Sequence, residues 1–125
     1  MAVADKPAIK GIDITTYLVK EPDRAIAFYR DTLGLKVGQE YGGQGAEFTL
    51  DDGATFGIWK MNDGTWRPGG GVMFAVDDAK AAVDLYKSRG VKFEADGAVE
   101  ETPVCFMAFG EDSEGNSFIL HQRKV

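Results

Sequence analysis

His121 is the only histidine in the chain, and an imidazole is the side chain best suited to proton transfer near neutral pH. It is a candidate general base, or a hydrogen-bonding group for a ligand. A lone histidine is more often structural, so catalysis by His121 needs a second positioned group beside it. Glu47 is the other candidate acid or base, on condition that its carboxylate points inward from its strand. Trp59 offers a flat face for stacking on an aromatic ligand, or a large filler for a sheet core. Trp66 stands in the stretch Asn62-Asp63-Gly64-Thr65-Trp66-Arg67-Pro68, where it reads as a lid, a pin for the linker or a contact between copies. Cys105 has no basic neighbour in sequence to hold a thiolate and reads as packing. A single cysteine excludes an intrachain disulfide and a cysteine-built zinc site. The acidic pairs Asp51-Asp52, Asp77-Asp78 and Glu111-Asp112 lack the spacing of a calcium loop and read as turns and caps.

The elements that must carry these residues follow from apolar periodicity. A length of 125 residues fits one domain, or two small halves sharing a core, and 44% hydrophobic with 27% charged residues is the balance of an ordinary soluble protein. The net charge of −6 argues against nucleic acid and anionic membrane as partners. The N-terminus shows no apolar signal core, so a cytoplasmic location is expected. Ile12 to Val19 alternates as a strand, with Ile14, Thr16 and Leu18 on one face. Glu21-Pro22-Asp23 starts a helix that buries Ala25, Ile26, Phe28, Tyr29 and Leu33, and Gly34 stops it. Strands follow at 35–41, 46–50 and 54–61. The order then repeats: a strand at 72–76, a helix from Asp77-Asp78 with Ala79, Ala82, Val83, Leu85 and Tyr86 inward, and strands at 91–94, 103–109 and 117–123.

The two halves also echo each other in detail. Aligning Gly53 with Gly115 puts Phe56 on Phe118, Ile58 on Leu120 and Trp59 on His121. The expected fold is α+β: two β-α-β-β-β modules, at 12–61 and 72–123 about a linker at 62–71, whose curved sheets enclose a cleft with helices outside. The whole chain, 1–125, is expected to act as one domain.

The run Pro22-Asp23-Arg24-Ala25-Ile26-Ala27-Phe28-Tyr29-Arg30-Asp31-Thr32-Leu33-Gly34-Leu35, then Val76-Asp77-Asp78-Ala79, then Glu111-Asp112-Ser113-Glu114-Gly115-Asn116, resembles the signature of the vicinal oxygen chelate superfamily. That superfamily includes glyoxalase I, bleomycin-resistance proteins and extradiol dioxygenases. The resemblance spans roughly residues 12–123 and implies the paired-module fold, without implying one function. It implies metal ligands at four strand positions in the metal-dependent members. Here those positions hold Ile14, Gly57, Gly71 and Ile119, none of which offers a donor side chain. No metal and no cofactor is therefore expected. The resemblance also implies a homodimer that completes its pocket between subunits.

Strand parity supplies the expected ligand-binding set: Thr16 and Leu18, then Thr55, Gly57 and Trp59, then Met73, then Ser117, Ile119 and His121. This is an apolar wall with a few hydroxyls, one indole and one imidazole, a mixture suited to a small molecule. The expected function is metal-free binding of a partly aromatic ligand or drug. The alternatives are a glyoxalase-like lyase, isomerase or epimerase using unusual metal ligands, His121 or Glu47, and a non-catalytic interaction subunit using Trp66 and the N-terminal tail.

Overall fold

The structure is a computed structural model that describes residues 8–9 and 12–124, so the expected role of the N-terminal tail lies largely outside the described residues. The first half gives β1 (Thr15–Leu18), α1 (Pro22–Ala27), β2 (Lys36–Glu40), β3 (Gly45–Thr49) and β4 (Thr55–Trp59). The second gives β5 (Val72–Ala75), α2 (Ala79–Ser88), β6 (Glu100–Glu101), β7 (Cys105–Glu111) and β8 (Ser117–Arg123). They build two four-stranded mixed sheets, ordered β1-β4-β3-β2 and β5-β8-β7-β6. The repeat read in the sequence is thus a repeat of topology. The parallel pairs set Thr15 opposite Phe56 and Val72 opposite Phe118. The two matched phenylalanines are both fully buried.

Local chemistry explains the helices. Pro22 sits in the first turn of α1, where a missing N–H costs nothing. Past Ala27 the helix widens to a π-turn over Phe28–Thr32, with the Leu33 N–H donating to the Phe28 carbonyl at 2.9 Å. Gly34, at φ 82°, ends it. The Asp78 side chain caps α2 by accepting from the Ala81 N–H at 3.0 Å. The stripe Ala79, Ala82, Val83 and Tyr86 packs inward, but Leu85 is exposed, contrary to its expected inward position. At helical spacing it falls to the side of that stripe.

The strand expected at 91–94 is replaced by a lone bridge between Phe93 and Gly110, then a 3₁₀ turn at Glu94–Gly97. Ala95 and Asp96 take φ values of 50° and 55°, which no extended strand allows. The Lys87 ammonium donates to the Asp96 carbonyl at 2.9 Å and folds the segment back on α2. Pairing resumes only at β6, inside the expected loop, and the strand expected at 103–109 runs instead at β7.

The core lies on the helix-facing sides of both sheets and is continuous between the modules. Tyr17, Phe56 and Ile58 of the first join Phe74, Phe118 and Leu120 of the second. Phe56 and Phe74 meet edge to face at 5.4 Å, and Phe28 of the helical segment lies 6.3 Å from Phe118. The opposite sides of the sheets are left open, with Met73 52% exposed. Among the described residues no helix is long and apolar enough to cross a membrane.

Candidate functional site

The open face of the first sheet is a small grid. Cross-strand pairing lines up Thr16, Gly57, Glu47 and Gln39 in one row, and Leu18, Trp59 and Gly45 in the next. Thr55 and Thr49 form a third. The alternation that buries Phe48 and Phe56 sends Glu47, Gly57 and Trp59 to this face. Glu47 therefore meets the condition set by the sequence: its carboxylate points to the same side as the ligand-binding set. Its Oε2 accepts the Tyr41 hydroxyl at 2.9 Å, which raises the Tyr41 pKa. Tyr41 also sets its ring edge-on to Trp59, 5.7 Å away. It closes a triad with Glu47 and Trp59 that the sequence reading missed. Its place just past β2, immediately before the Gly42-Gly43 turn residues, was the available signal.

Two glycines shape this surface. A Cβ on Gly45 would stand 3.0 Å from the Trp59 ring and 2.2 Å from the Ile58 carbonyl oxygen, so the indole lies down against bare backbone. A Cβ on Gly57 would stand 3.0 Å from Ile14 Cδ1 and 3.6 Å from Thr16 Oγ1, so the missing side chain lets Ile14 lie over the strand between Thr16 and Glu47. Replacing Gly45 by Ala forces β3 away from β4 and lifts the indole. The expected result is a loss of about 1–3 kcal/mol in urea unfolding together with a shift of the Trp59 emission.

The open face of the second sheet is apolar at its centre, with Glu100, Glu111 and Arg123 at its margins. Met73 pairs with Ile119, Ala75 with His121, and β7 adds Phe109 beside Ile119 and Met107 beside His121. Phe109 and Met107 belong to this surface and were not in the expected set; the alternation along β7 carried that information. His121 is half-buried, and its cross-strand neighbours Ala75 and Met107 supply no proton-transfer partner. Ser117 is exposed, and its carbonyl accepts the Tyr17 hydroxyl at 2.7 Å. Burial raises the Tyr17 pKa, partly offset by the hydrogen bond this oxygen accepts from the Val72 N–H.

The two sets of candidate residues sit on different sheets. Among the described residues no hydrogen bond joins Thr16, Thr55, Glu47 or Trp59 to Ser117 or His121 side chains. Thr55 and Met73 come together along a cleft of about 740 Å³ beside the free edge of β5, floored by Phe56, Phe74 and Leu120. The donor set does not fit the divalent metal of the metal-dependent members. Ile14, Gly57, Gly71 and Ile119 carry no ligand atoms, and among the described residues no three His, Cys, Asp or Glu side chains converge.

What aims β8 is a buried polar network at its start. Asp112 Oδ1 accepts the backbone N–H groups of Glu114 and Asn116, both at 2.8 Å. Its Oδ2 accepts the Tyr29 hydroxyl at 2.7 Å and the Asn116 amide at 3.0 Å. Asn116 in turn donates to the Leu18 carbonyl and accepts the Gly69 N–H. Burial, reinforced by Asp112, holds the Tyr29 hydroxyl far above the ordinary phenol range. Glu114 Oε1 accepts the N–H groups of Lys20 and Glu21, each at 2.7 Å, and Oε2 pairs with the Arg24 guanidinium. Burial alone would raise the Glu114 pKa, but Arg24 and the two backbone donors outweigh it and the net shift is downward. The turn expected at 112–115 is present, and it also fastens one module to the other. Trp66 is half-buried, with the Lys20 ammonium 4.1 Å above its ring, so a cation–π contact ties the linker to the end of β1.

Comparison with known proteins matches this architecture. A probable chloroplastic lactoylglutathione lyase of Arabidopsis thaliana is 28% identical over 121 residues, covering 86% of this chain and 34% of that protein. The chain thus spans about a third of the length of this curated relative. TnmS3, an antibiotic binding protein from Streptomyces sp. CB03234, shares the fold with a TM-score of 0.82 at 19% identity, over 95% of this chain and 100% of that one. A lactoylglutathione lyase from Agrobacterium tumefaciens does so with a TM-score of 0.71 at 24% identity, over 93% and 96% of the two chains. At such identities the likeness is one of fold, and the same fold carries both names. The model of the glyoxalase/bleomycin resistance protein/dioxygenase superfamily matches residues 11–119, and the chain belongs to that superfamily.

Proposed function

We propose that this protein binds a small, partly aromatic molecule without a metal ion, in a cleft closed by a second copy of the chain. The observation that carries the reading is Trp59: a half-buried indole against bare backbone on an open sheet face, on the same sheet as Gly57. An indole so placed has one face against backbone and the other free for a ring to stack upon. Closure by a second copy is supported by the open sheets, since Met73 is 52% exposed on a face that carries candidate residues. A binding role has a counterpart on this fold in the antibiotic binding protein TnmS3.

The lyase alternative draws on the Arabidopsis relative, but neither cross-strand neighbour of His121, Ala75 or Met107, carries an acid or base. Titration calorimetry against planar aromatic compounds tests the proposal. Binding by the wild type and a loss of about tenfold or more in W59A are expected. A wild type that binds none of them, or that purifies without chelators holding stoichiometric metal, rules the reading out.

A further inference from the structure

We infer that Glu47 selects ligands carrying a positive charge, so the molecule taken by the first-sheet face is an aromatic cation, such as a ring bearing an amine or amidine. This rests on the small-molecule reading above and specifies its ligand class.

Glu47 sits in the middle row of the open face, directly opposite Gly57. With no side chain at Gly57, the nearest apolar neighbour across the row is the Ile14 methyl that lies over that glycine, beside Thr16. Trp59 and Tyr41 stand one row away. Only Oε2 of Glu47 has a side-chain hydrogen bond, from Tyr41. Among the described residues no basic side chain pairs with it. The carboxylate is therefore positioned on its strand by Tyr41 and keeps Oε1 for another donor. The aromatic ring faces beside it attract cations as well, so the two effects act in the same sense. The net charge of −6 adds a long-range field that draws cations and repels anions.

At its centre the other open face is apolar, and its charged groups lie toward the edges, with Glu100 opposite Met107 on β6 and Arg123 at the end of β8. Met73, Ile119, Phe109 and Met107 surround His121 there. A ligand between such surfaces would present a flat apolar body to the second sheet and its charged edge to Glu47. Once a ring covers this face, water is displaced from the carboxylate, and a charge-assisted hydrogen bond gains strength.

The test compares three probes of the same ring size by titration calorimetry at pH 7.5: 9-aminoacridine, which is protonated, acridine, which is neutral, and anthracene-9-carboxylate, an anion. The wild type is expected to bind 9-aminoacridine about tenfold to a hundredfold more tightly than acridine, and the anion least. In E47Q the preference falls to about twofold or less while acridine binding is unchanged. Folding of E47Q is checked by its urea unfolding midpoint, and E47D, which keeps the charge, retains part of the preference. If the wild type binds all three alike, or E47Q keeps the preference, the inference is overturned and the small-molecule reading stands. If none of the three binds, both fall.

Discussion

Replacing Asp112 by Ala is expected to destabilise the protein by about 3–5 kcal/mol. The carboxylate accepts four hydrogen bonds, two from backbone N–H groups, one from Tyr29 and one from Asn116. Its residue is 7% exposed, so water cannot take its place without a cavity opening to solvent. Truncation leaves the Tyr29 hydroxyl and the turn amides without an acceptor, and each buried orphan costs about 1–3 kcal/mol. For a chain of this size the loss corresponds to a melting temperature lower by about 10–20 °C. Y29F removes one donor and leaves the carboxylate its other three, so a drop of about 1 kcal/mol is expected. Urea unfolding of the three proteins settles the order. A D112A variant within about 1 kcal/mol of wild type would show that the turn holds itself without the network.

The second large effect is on acid stability. Glu114 has its pKa lowered from the ordinary value of 4.5. A carboxylate with a depressed folded pKa contributes its full stability above the unfolded value, and loses it as pH falls through the folded one. The wild type should therefore weaken progressively below about pH 4.5. Glu114→Gln cannot ionise, so its stability curve should be flatter across that range and lower at neutral pH, by about 2 kcal/mol. The neutral-pH loss arises because the Lys20 and Glu21 amides and the Arg24 guanidinium lose a charged acceptor. Urea midpoints between pH 3 and 7 measure both curves. Parallel curves for the two proteins would mean that Glu114 does not contribute to acid unfolding.

Much of this was legible in the sequence for a simple reason. Strand alternation is a local pattern, and it placed Thr16, Gly57, Trp59, Met73, Ile119 and His121 on the open faces without any knowledge of tertiary contacts. The same counting, continued back from Phe48, assigns Glu47 its face. The echo between the halves announced two like modules, and the two sheets do share one strand order. What was not legible depended on distance. Glu114 and Asp112 read as turn residues because their partners Lys20, Arg24 and Tyr29 lie far upstream. The 91–94 segment misled because its apolar alternation is that of a strand, while Ala95 and Asp96 in left-handed backbone, held by Lys87, break the pairing. Leu85 misled because a leucine in a helix reads as core whichever side it occupies.

The network at the start of β8 also fixes an order of events during synthesis. The Leu18 carbonyl waits for an amide 98 residues later, the Tyr17 hydroxyl for a carbonyl 100 residues later, and the Lys20 amide for a carboxylate 94 residues later. These bonds form only once Glu114, Asn116 and Ser117 have left the ribosome. Until then the nascent first module shows its apolar helix side, with Tyr17, Phe56 and Ile58, to the surrounding solution. A topology with such distant partners folds late and slowly, and its early product is the species most exposed to aggregation. The turn that closes the molecule is thus also the step that ends its vulnerable period.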